Sequence, residues 1–251
     1  MDDKTSSIEY SSSEEKTSRN ELLDLFRKSP VPDNQVLSNL GLFLDSKNLA
    51  RLLFLDYIYR AIISVQGVVM DFGTRWGQNL SIFESLRGIY EPFNRHRKLI
   101  GFDTFTGFPN IVDKDGNSPL MQAGQLTTTQ DYIEYLEQLL LCKEQLNPLA
   151  HIKKFDIRVG DACIEVPKYL KEYPSTIVAL AYFDFDLYEP TRECLLAIKD
   201  RLTKGSVIAF DELNDEDSPG ETVALMGVMG LENISLKRYQ YTSRVSYFIL
   251  E

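Results

Sequence analysis

Histidine and cysteine are scarce in this chain. Its 251 residues hold two histidines, His96 and His151, and three cysteines, Cys142, Cys163 and Cys194, none forming a CxxC pair. An odd number of widely spaced cysteines makes neither a disulfide framework nor a zinc cluster, and it suits a reducing cytoplasm. Two isolated histidines also leave no 2-His-1-carboxylate iron centre. No stretch approaches the ~18 apolar residues that a membrane span needs, so no membrane association is expected. The opening MDDKTSSIEYSSSEEKTSRN lacks the apolar segment of a signal peptide. Positive charge is in deficit, with 27 Lys and Arg against 37 Asp and Glu and a net charge of −10. Without a basic face, a nucleic-acid partner is excluded, whereas an anionic small substrate is not, because local arginines can line a pocket.

What remains is ordinary for a globular α/β chain, 43% hydrophobic and 25% charged. Residues 1–20 are rich in Ser, Glu, Lys and Thr and read as a disordered tail; residues 21–66 form an N-terminal helical segment, and 67–251 a single α/β domain. Within the helical segment, NELLDLFRKSP gives a short helix. KNLARLLFLDYIYRAIIS (47–64) carries an apolar stripe through Leu49, Leu52, Leu53, Leu55, Ile58 and Ile62. Its Arg51, Tyr57 and Tyr59 are read as parts of a helix that covers the core. Beyond residue 67, strands alternate with helices: GVVMDF, KLIGFD, IKKFDIRVGD, STIVALAYFDFD and GSVIAFDEL are strands, and NISLKRYQYTSRVSYFILE adds two more joined by a tight turn. This order predicts a mostly parallel seven-stranded sheet with helices on both faces and a C-terminal antiparallel hairpin. Segment 104–127 is loop-like and long for a compact domain, the length of an active-site lid. Homo-oligomerisation is allowed, though nothing in the chain requires it.

The first strand leads into VVMDFGTRWGQNL, with Asp71, Gly73 and Gly77 in an Asp-x-Gly-x-x-x-Gly arrangement before a helix. Glycines here permit a tight turn and a close ligand approach, and the helix start offers free N–H groups. The spacing is not the GxGxxG of dinucleotide binders, which disfavours a nicotinamide enzyme. A smaller nucleoside cofactor such as S-adenosyl-L-methionine fits better. Asp103, after the second strand, can accept ribose hydroxyls, and Asp161, after the third, can reach an adenine amino group. Ligands of open α/β sheets bind at such strand ends. The candidate cofactor set is therefore Asp71, Gly73, Thr74, Gly77, Asp103, Thr104, Phe105, Gly160, Asp161, Ala162 and Asp184. Each acid also has a plainer reading as a helix cap or a solvated loop carboxylate.

The fourth strand ends in Asp184-Phe-Asp186 and the fifth in Asp211-Glu212. Neighbouring strand ends lie ~5 Å apart, so Asp184, Asp211 and Glu212 can converge on one point. Carboxylates that close repel unless they are protonated or share a cation, and oxygen-only ligation suits Mg²⁺. Such an ion would activate an alcohol oxygen, with Asp184 or Asp186 as the base. DFDLYEP also serves as the cap of the helix that begins at Glu189.

Taken in order, VMDFGTRWGQNL, GFDTFTGFP, YFDFDLYEPT and IAFDELN resemble the macrocin O-methyltransferase (TylF/MycF/NovP-like) family, and its deoxyhexose O-methyltransferase branch most closely. The resemblance spans roughly residues 45–250. It implies a Rossmann-like class I methyltransferase sheet, S-adenosylmethionine as donor, Mg²⁺ dependence, and a sugar hydroxyl as acceptor, on a nucleotide sugar or a glycoside. By position it makes Asp103 the ribose ligand, Asp161 the adenine-side residue, and Asp184 and Asp211 metal ligands. Two departures stand out. Glu212 replaces the second Asp common in the family, and Arg75 and Trp76 stand where many relatives carry smaller residues. Trp76 either packs under the cofactor or fills the helix–sheet interface. His96 and His151 fall outside the motifs and read as surface residues, and Arg95, Arg97 and Lys98 as a solvated helix end. The competing readings are a hydroxylase on the same scaffold and a methyltransferase fold kept as a non-catalytic binding subunit.

Overall fold

A computed structural model of the chain describes residues 11–251, and the first ten residues of the expected tail lie outside the described residues. Helix α1 spans Ser13–Arg27 and starts inside the stretch read as tail. The cause is a capping box: the Glu15 N–H donates to Ser12 Oγ at 3.2 Å, and the Ser12 N–H donates to Glu15 Oε2 at 2.8 Å. α1, the short α2 (Asp33–Val36) and the 3-10 turn after it (Leu37–Phe43) bury no residue.

Helix α3 (Ser46–Ala61) is the first to face the core. Asp45 caps it by accepting from the Asn48 N–H at 2.7 Å. Its buried face is Ala50, Phe54, Leu55, Ile58 and Tyr59, so the apolar stripe is rotated from the expected one; Leu49 and Leu53 are exposed. Leucines all round this helix blur its amphipathic phase.

The sheet contains β1 (Val68–Phe72), β2 (Leu99–Asp103), β3 (Phe155–Val159), β4 (Val178–Phe183), β5 (Leu202–Phe210), β6 (Lys237–Arg238) and β7 (Ser246–Ile249). Its order is β3-β2-β1-β4-β5-β7-β6, with β1 to β5 parallel and β7 antiparallel to both neighbours. Between the strands run α4 (Gln78–Tyr90), α5 (Tyr132–Glu144), α6 (Ala162–Glu172), α7 (Tyr188–Ile198) and α8 (Gly220–Met229). This is the expected fold class. Helix α8 was not foreseen: GETVALMGVM is apolar without a helical period and contains two glycines, so neither face stands out. No described helix is long and apolar enough to cross a membrane.

Strand alternation divides the core. Val69, Leu180, Tyr182, Val207 and Ala209 face α3 and α4, whereas Met70, Phe72, Ala181, Phe183, Ile208 and Phe210 face the layer containing α6, α7 and α8. Continuing the two-residue period past the strand ends carries Asp184 and Asp211 to the α3 side. Arg97, expected as a solvated residue, is 1% exposed instead. Its guanidinium pairs with Glu91 at 2.8 Å and donates to the carbonyls of Ile62 at 2.9 Å and Val65 at 2.8 Å, so it clamps the link between α3 and β1. A fork of donors met by a carboxylate and several carbonyls can be buried; a lone charge cannot.

Candidate active site

At the C-terminal ends of β1, β2, β4 and β5 lies a cavity of about 430 Å³. Gly73, with φ 87°, makes its floor possible: a Cβ there would stand 2.0 Å from the Asp184 carbonyl oxygen. Three non-glycine residues also take left-handed backbones at strand ends, Arg75 (φ 45°), Phe105 (φ 58°) and Asp186 (φ 60°). Each such residue costs on the order of 1 kcal/mol, and a cluster of them at one sheet edge is typical of a working site.

On the β1–β3 side, the Asp103 carboxylate accepts the Arg75 N–H at 2.8 Å and the Phe105 N–H at 2.6 Å. Burial raises its pKa, and these two hydrogen bonds pull it back. They fix the carboxylate at the cavity wall and leave each oxygen a lone pair for a hydroxyl. Asp161 lines the wall and also caps α6 by accepting from the Cys163 N–H at 2.9 Å, as the plainer reading held. Gly73, Thr74, Thr104, Gly160 and Ala162 line the cavity as well.

Three members of the candidate set do not line it. Gly77 takes φ 72° at the start of α4 against Leu136, Phe105 is packed in the core, and Asp71 is fully buried. Asp71 reaches the cavity through Asn79, whose Nδ2 donates to Asp71 Oδ1 at 3.0 Å. Its Oδ2 has no partner, and burial raises the carboxyl to about 6 against the pull of Asn79 and Thr74. Trp76 sits in the cavity wall, edge-on to Tyr132 at 4.7 Å, and the Tyr132 hydroxyl donates to the Trp76 carbonyl. His96 and His151 are both exposed.

On the β4–β5 side, Asp184 and Asp211 converge as expected, but on a side chain. The Arg51 guanidinium donates to Asp211 Oδ1 at 2.6 Å, to Asp184 Oδ2 at 3.1 Å and to Asn79 Oδ1 at 3.2 Å. Arg51 is thus more than a cover for the core. The signal was its place three and four residues before Phe54 and Leu55, a charge on the buried stripe. The Tyr182 hydroxyl donates to Asp211 Oδ1 at 2.6 Å. Burial first, and Asp211 second, push the Asp184 carboxyl well above its ordinary range despite Arg51. Glu212 also lines the cavity, but its oxygens are engaged: Oε2 accepts from Ser218 Oγ at 2.6 Å, and Oε1 pairs with Arg244. Among the described residues no group of three His, Cys, Asp or Glu side chains is disposed to hold a metal ion. The residues as placed therefore do not form the expected three-acid Mg²⁺ site, because two of the acids already share a guanidinium and the third is taken up by Ser218 and Arg244.

Asp186 is 5% exposed and lines the same cavity. Burial, and next the charge of Asp211, raise its pKa to about 6, with Arg244 and Arg75 pulling down. The site thus sets a carboxylate fixed by two backbone amides, Asp103, in one cavity with Asp186, a buried carboxyl whose pKa is raised to about 6.

No family model and no curated protein matches the chain. Among solved structures, "CalS11, Calicheamicin Methyltransferase" is 40% identical with a TM-score of 0.94, covering 96% of this chain and 95% of its own. The apo form, described as a TDP-rhamnose 3'-O-methyltransferase of calicheamicin biosynthesis, is 37% identical with a TM-score of 0.85, covering 96% of each chain. The O-methyltransferase NovP shares the fold at 15% identity, with a TM-score of 0.60 over 80% of this chain and 79% of its own. The fold and site define a class I methyltransferase. The chain belongs to the deoxyhexose O-methyltransferase family and is an enzyme that methylates.

Proposed function

We propose that this enzyme transfers a methyl group from S-adenosylmethionine to a hydroxyl of a nucleotide-linked deoxyhexose, with Asp186 as the general base. The observation that carries the reading is the single cavity joining Asp103 and Asp161 on the nucleoside side to Asp184, Asp186 and Asp211 on the acceptor side. The nucleotide-linked acceptor is favoured by the identity to CalS11 along nearly the whole chain.

When bound, S-adenosylmethionine supplies an electrophilic methyl group on a sulfonium, with neutral S-adenosylhomocysteine as the leaving product. Asp103 would hold the ribose hydroxyls of the bound donor, and Asp161 would lie toward its adenine. Asp186 accepts the acceptor hydroxyl proton at a carboxylate oxygen. A base of pKa about 6 is ionised at neutral pH yet still basic enough to take that proton as the oxygen becomes a nucleophile. The cavity walls would orient the acceptor hydroxyl toward the bound donor, which lowers the entropy cost of bringing the two together. Arg51 bridges Asp184 and Asp211 and holds their carboxyl groups side by side. A Mg²⁺ ion at those oxygens would have to displace the guanidinium, so no step is assigned to it.

The test is methyl transfer from isotopically labelled S-adenosylmethionine to a panel of TDP-deoxyhexoses, the free deoxyhexoses and simple deoxyhexosides, with EDTA and with Mg²⁺. Turnover confined to the TDP-sugars is the expected result. Turnover on glycosides alone moves the acceptor to a finished glycoside, and calorimetry showing no S-adenosylmethionine binding ends the reading.

A further inference from the structure

In the segment that carries the base, Asp184-Phe-Asp-Leu-Tyr188, the Asp184 N–H donates to the Phe72 carbonyl and the Leu187 carbonyl accepts from Thr191, but the Phe185 and Tyr188 amides find their partners in distant parts of the chain. Asp186 sits in the left-handed region at φ 60°, which a residue with a Cβ occupies only when its surroundings fix it. The helix that follows, α7, gains no side-chain cap from its own N-cap residue, Leu187. Two buried carboxylates from distant parts of the chain supply what is missing. Glu221, in the first turn of α8 and fully buried, accepts the Phe185 N–H on Oε1 at 2.8 Å. Asp115, in the long 104–127 loop and 1% exposed, accepts the Tyr188 N–H on Oδ1 at 2.5 Å and its own loop's Val112 N–H on Oδ2 at 2.7 Å. The amides on either side of Asp186 are thus both fixed from outside.

The junction is closely packed. A Cβ on Gly220 would stand 2.5 Å from the Tyr188 nitrogen, 2.8 Å from Asp115 Oδ1 and 2.8 Å from the Asp186 carbonyl oxygen. Lys114 Nζ lies 3.9 Å from the centre of the Tyr188 ring. Leu187 packs with Phe108 and Met121 of the loop. The loop that contributes Gly107, Phe108 and Pro109 to the cavity is therefore tied by Asp115 to the segment that carries the base.

We propose that Glu221 and Asp115 are positioning residues that fix the left-handed conformation of Asp186 and so aim its carboxylate at the acceptor hydroxyl. The inference rests on Asp186 being the base of the proposed reaction. Glu221 acts on the amide before Asp186 and Asp115 on the amide two residues after it, and neither faces the reacting atoms. Asp115 also makes the arrangement of the loop and the aim of the base one event.

The experiment uses Glu221→Met, Glu221→Gln and Asp115→Ala in the full chain. Methionine fills the space but leaves the Phe185 N–H unpaired, whereas glutamine keeps the accepting oxygen. In Glu221→Met and Asp115→Ala, kcat should fall 10- to 100-fold, the effect of displacing a reacting group by about an ångström. KM for the acceptor and the affinity for S-adenosylmethionine should stay within threefold, and Glu221→Gln should restore kcat to near wild type. Amide hydrogen exchange across 184–188 in the free enzyme, read independently of turnover, should speed up in the two disruptive variants. Should Glu221→Met fail to fold, Asp115→Ala, altered only on the loop side, carries the test. Unchanged kcat with unchanged exchange overturns the proposal, as does a parallel loss of kcat and cofactor affinity. Absence of wild-type turnover on every deoxyhexose acceptor, with exchange still responding as stated, would refute the functional reading and leave the anchoring of the segment standing.

Discussion

Replacing Arg51 with methionine removes the cation shared by Asp184 and Asp211 while keeping most of the side chain's bulk. At about 3 Å in an effective dielectric near 20, one such pair is worth roughly 5 kcal/mol before desolvation is subtracted. Taking one partner from a buried pair costs about 3–5 kcal/mol, because the remaining charge stays behind uncompensated. The side chains of Arg51 and Asp184 are about a quarter exposed, so the lower figure, about 3 kcal/mol near pH 7.5, is the expectation. The loss should depend on pH. Burial and Asp211 already raise the Asp184 pKa, and without Arg51 it rises further. A carboxyl raised above its unfolded value favours the fold while protonated and withdraws that support as pH climbs through the folded pKa. The gap between variant and wild type should therefore be small near pH 4 and widen through neutrality. Urea denaturation from pH 4 to 8 measures it. Equal stability of the two proteins across that range would show that the bridge carries no energy. Millimolar Mg²⁺ provides a second arm: with the guanidinium gone, the ion should raise the variant's Tm more than that of the wild type, as ligand linkage requires. Equal shifts in both would refute competition for the same oxygens.

Asp186→Asn should lower kcat by about 10²-fold or more while leaving S-adenosylmethionine affinity unchanged. In the wild type, kcat/KM should rise with pH through about 6, where Asp186 ionises, and the variant should lose that limb. Asp103→Ala should weaken S-adenosylmethionine binding by about 1.5–3 kcal/mol, the scale of hydrogen bonds to a charged group; unchanged affinity in calorimetry would end the ribose assignment. The 104–127 loop should gain hydrogen-exchange protection when S-adenosylhomocysteine and acceptor are added, and equal exchange would make it a plain surface connection.

The sheet was legible because β1, β2, β4 and the end of β5 are short apolar runs closed by an acid or a glycine, and strand alternation then places Asp184 and Asp211 on one side. Asp103 and Asp161 could be placed for the same reason. What the sequence did not reveal depends on contacts between segments far apart in the chain. Arg51 lies 160 residues before Asp211, and only its phase on α3 betrays it, a phase blurred by leucines on every side. Glu212 looks like a ligand from its neighbour Asp211; its rotation toward Ser218 and Arg244 depends on a loop and a hairpin whose approach no local pattern encodes. Glu221 was hidden because α8 itself lacks a helical period, and Asp115 because a long loop carries no register at all.

Buried charge is met differently in different parts of the fold. The guanidinium of Arg87 meets both oxygens of Glu144 at 2.9 and 2.7 Å, and Arg97 is matched by Glu91 and main-chain carbonyls. Glu84, in the Arg87 cluster, has no hydrogen bond yet lies 3.9 Å from that guanidinium. Asp71, one residue behind the cavity wall, has an orphaned oxygen and a carboxyl raised to about 6. An upward displacement of that size means that its ionised form costs the fold roughly 2–3 kcal/mol. The Asp71 contribution should be lost as pH rises from about 4 through 6, since the folded state holds the proton more tightly than the unfolded one. Asp71→Asn keeps an acceptor for Asn79 and needs no ionisation, so it should stabilise the free enzyme by about 1–2 kcal/mol at pH 8 and by little at pH 4. Denaturant titrations at the two pH values decide it. A variant equally shifted at both would mean that the Asp71 carboxyl titrates alike in the folded and unfolded states, and that its burial does not displace its pKa.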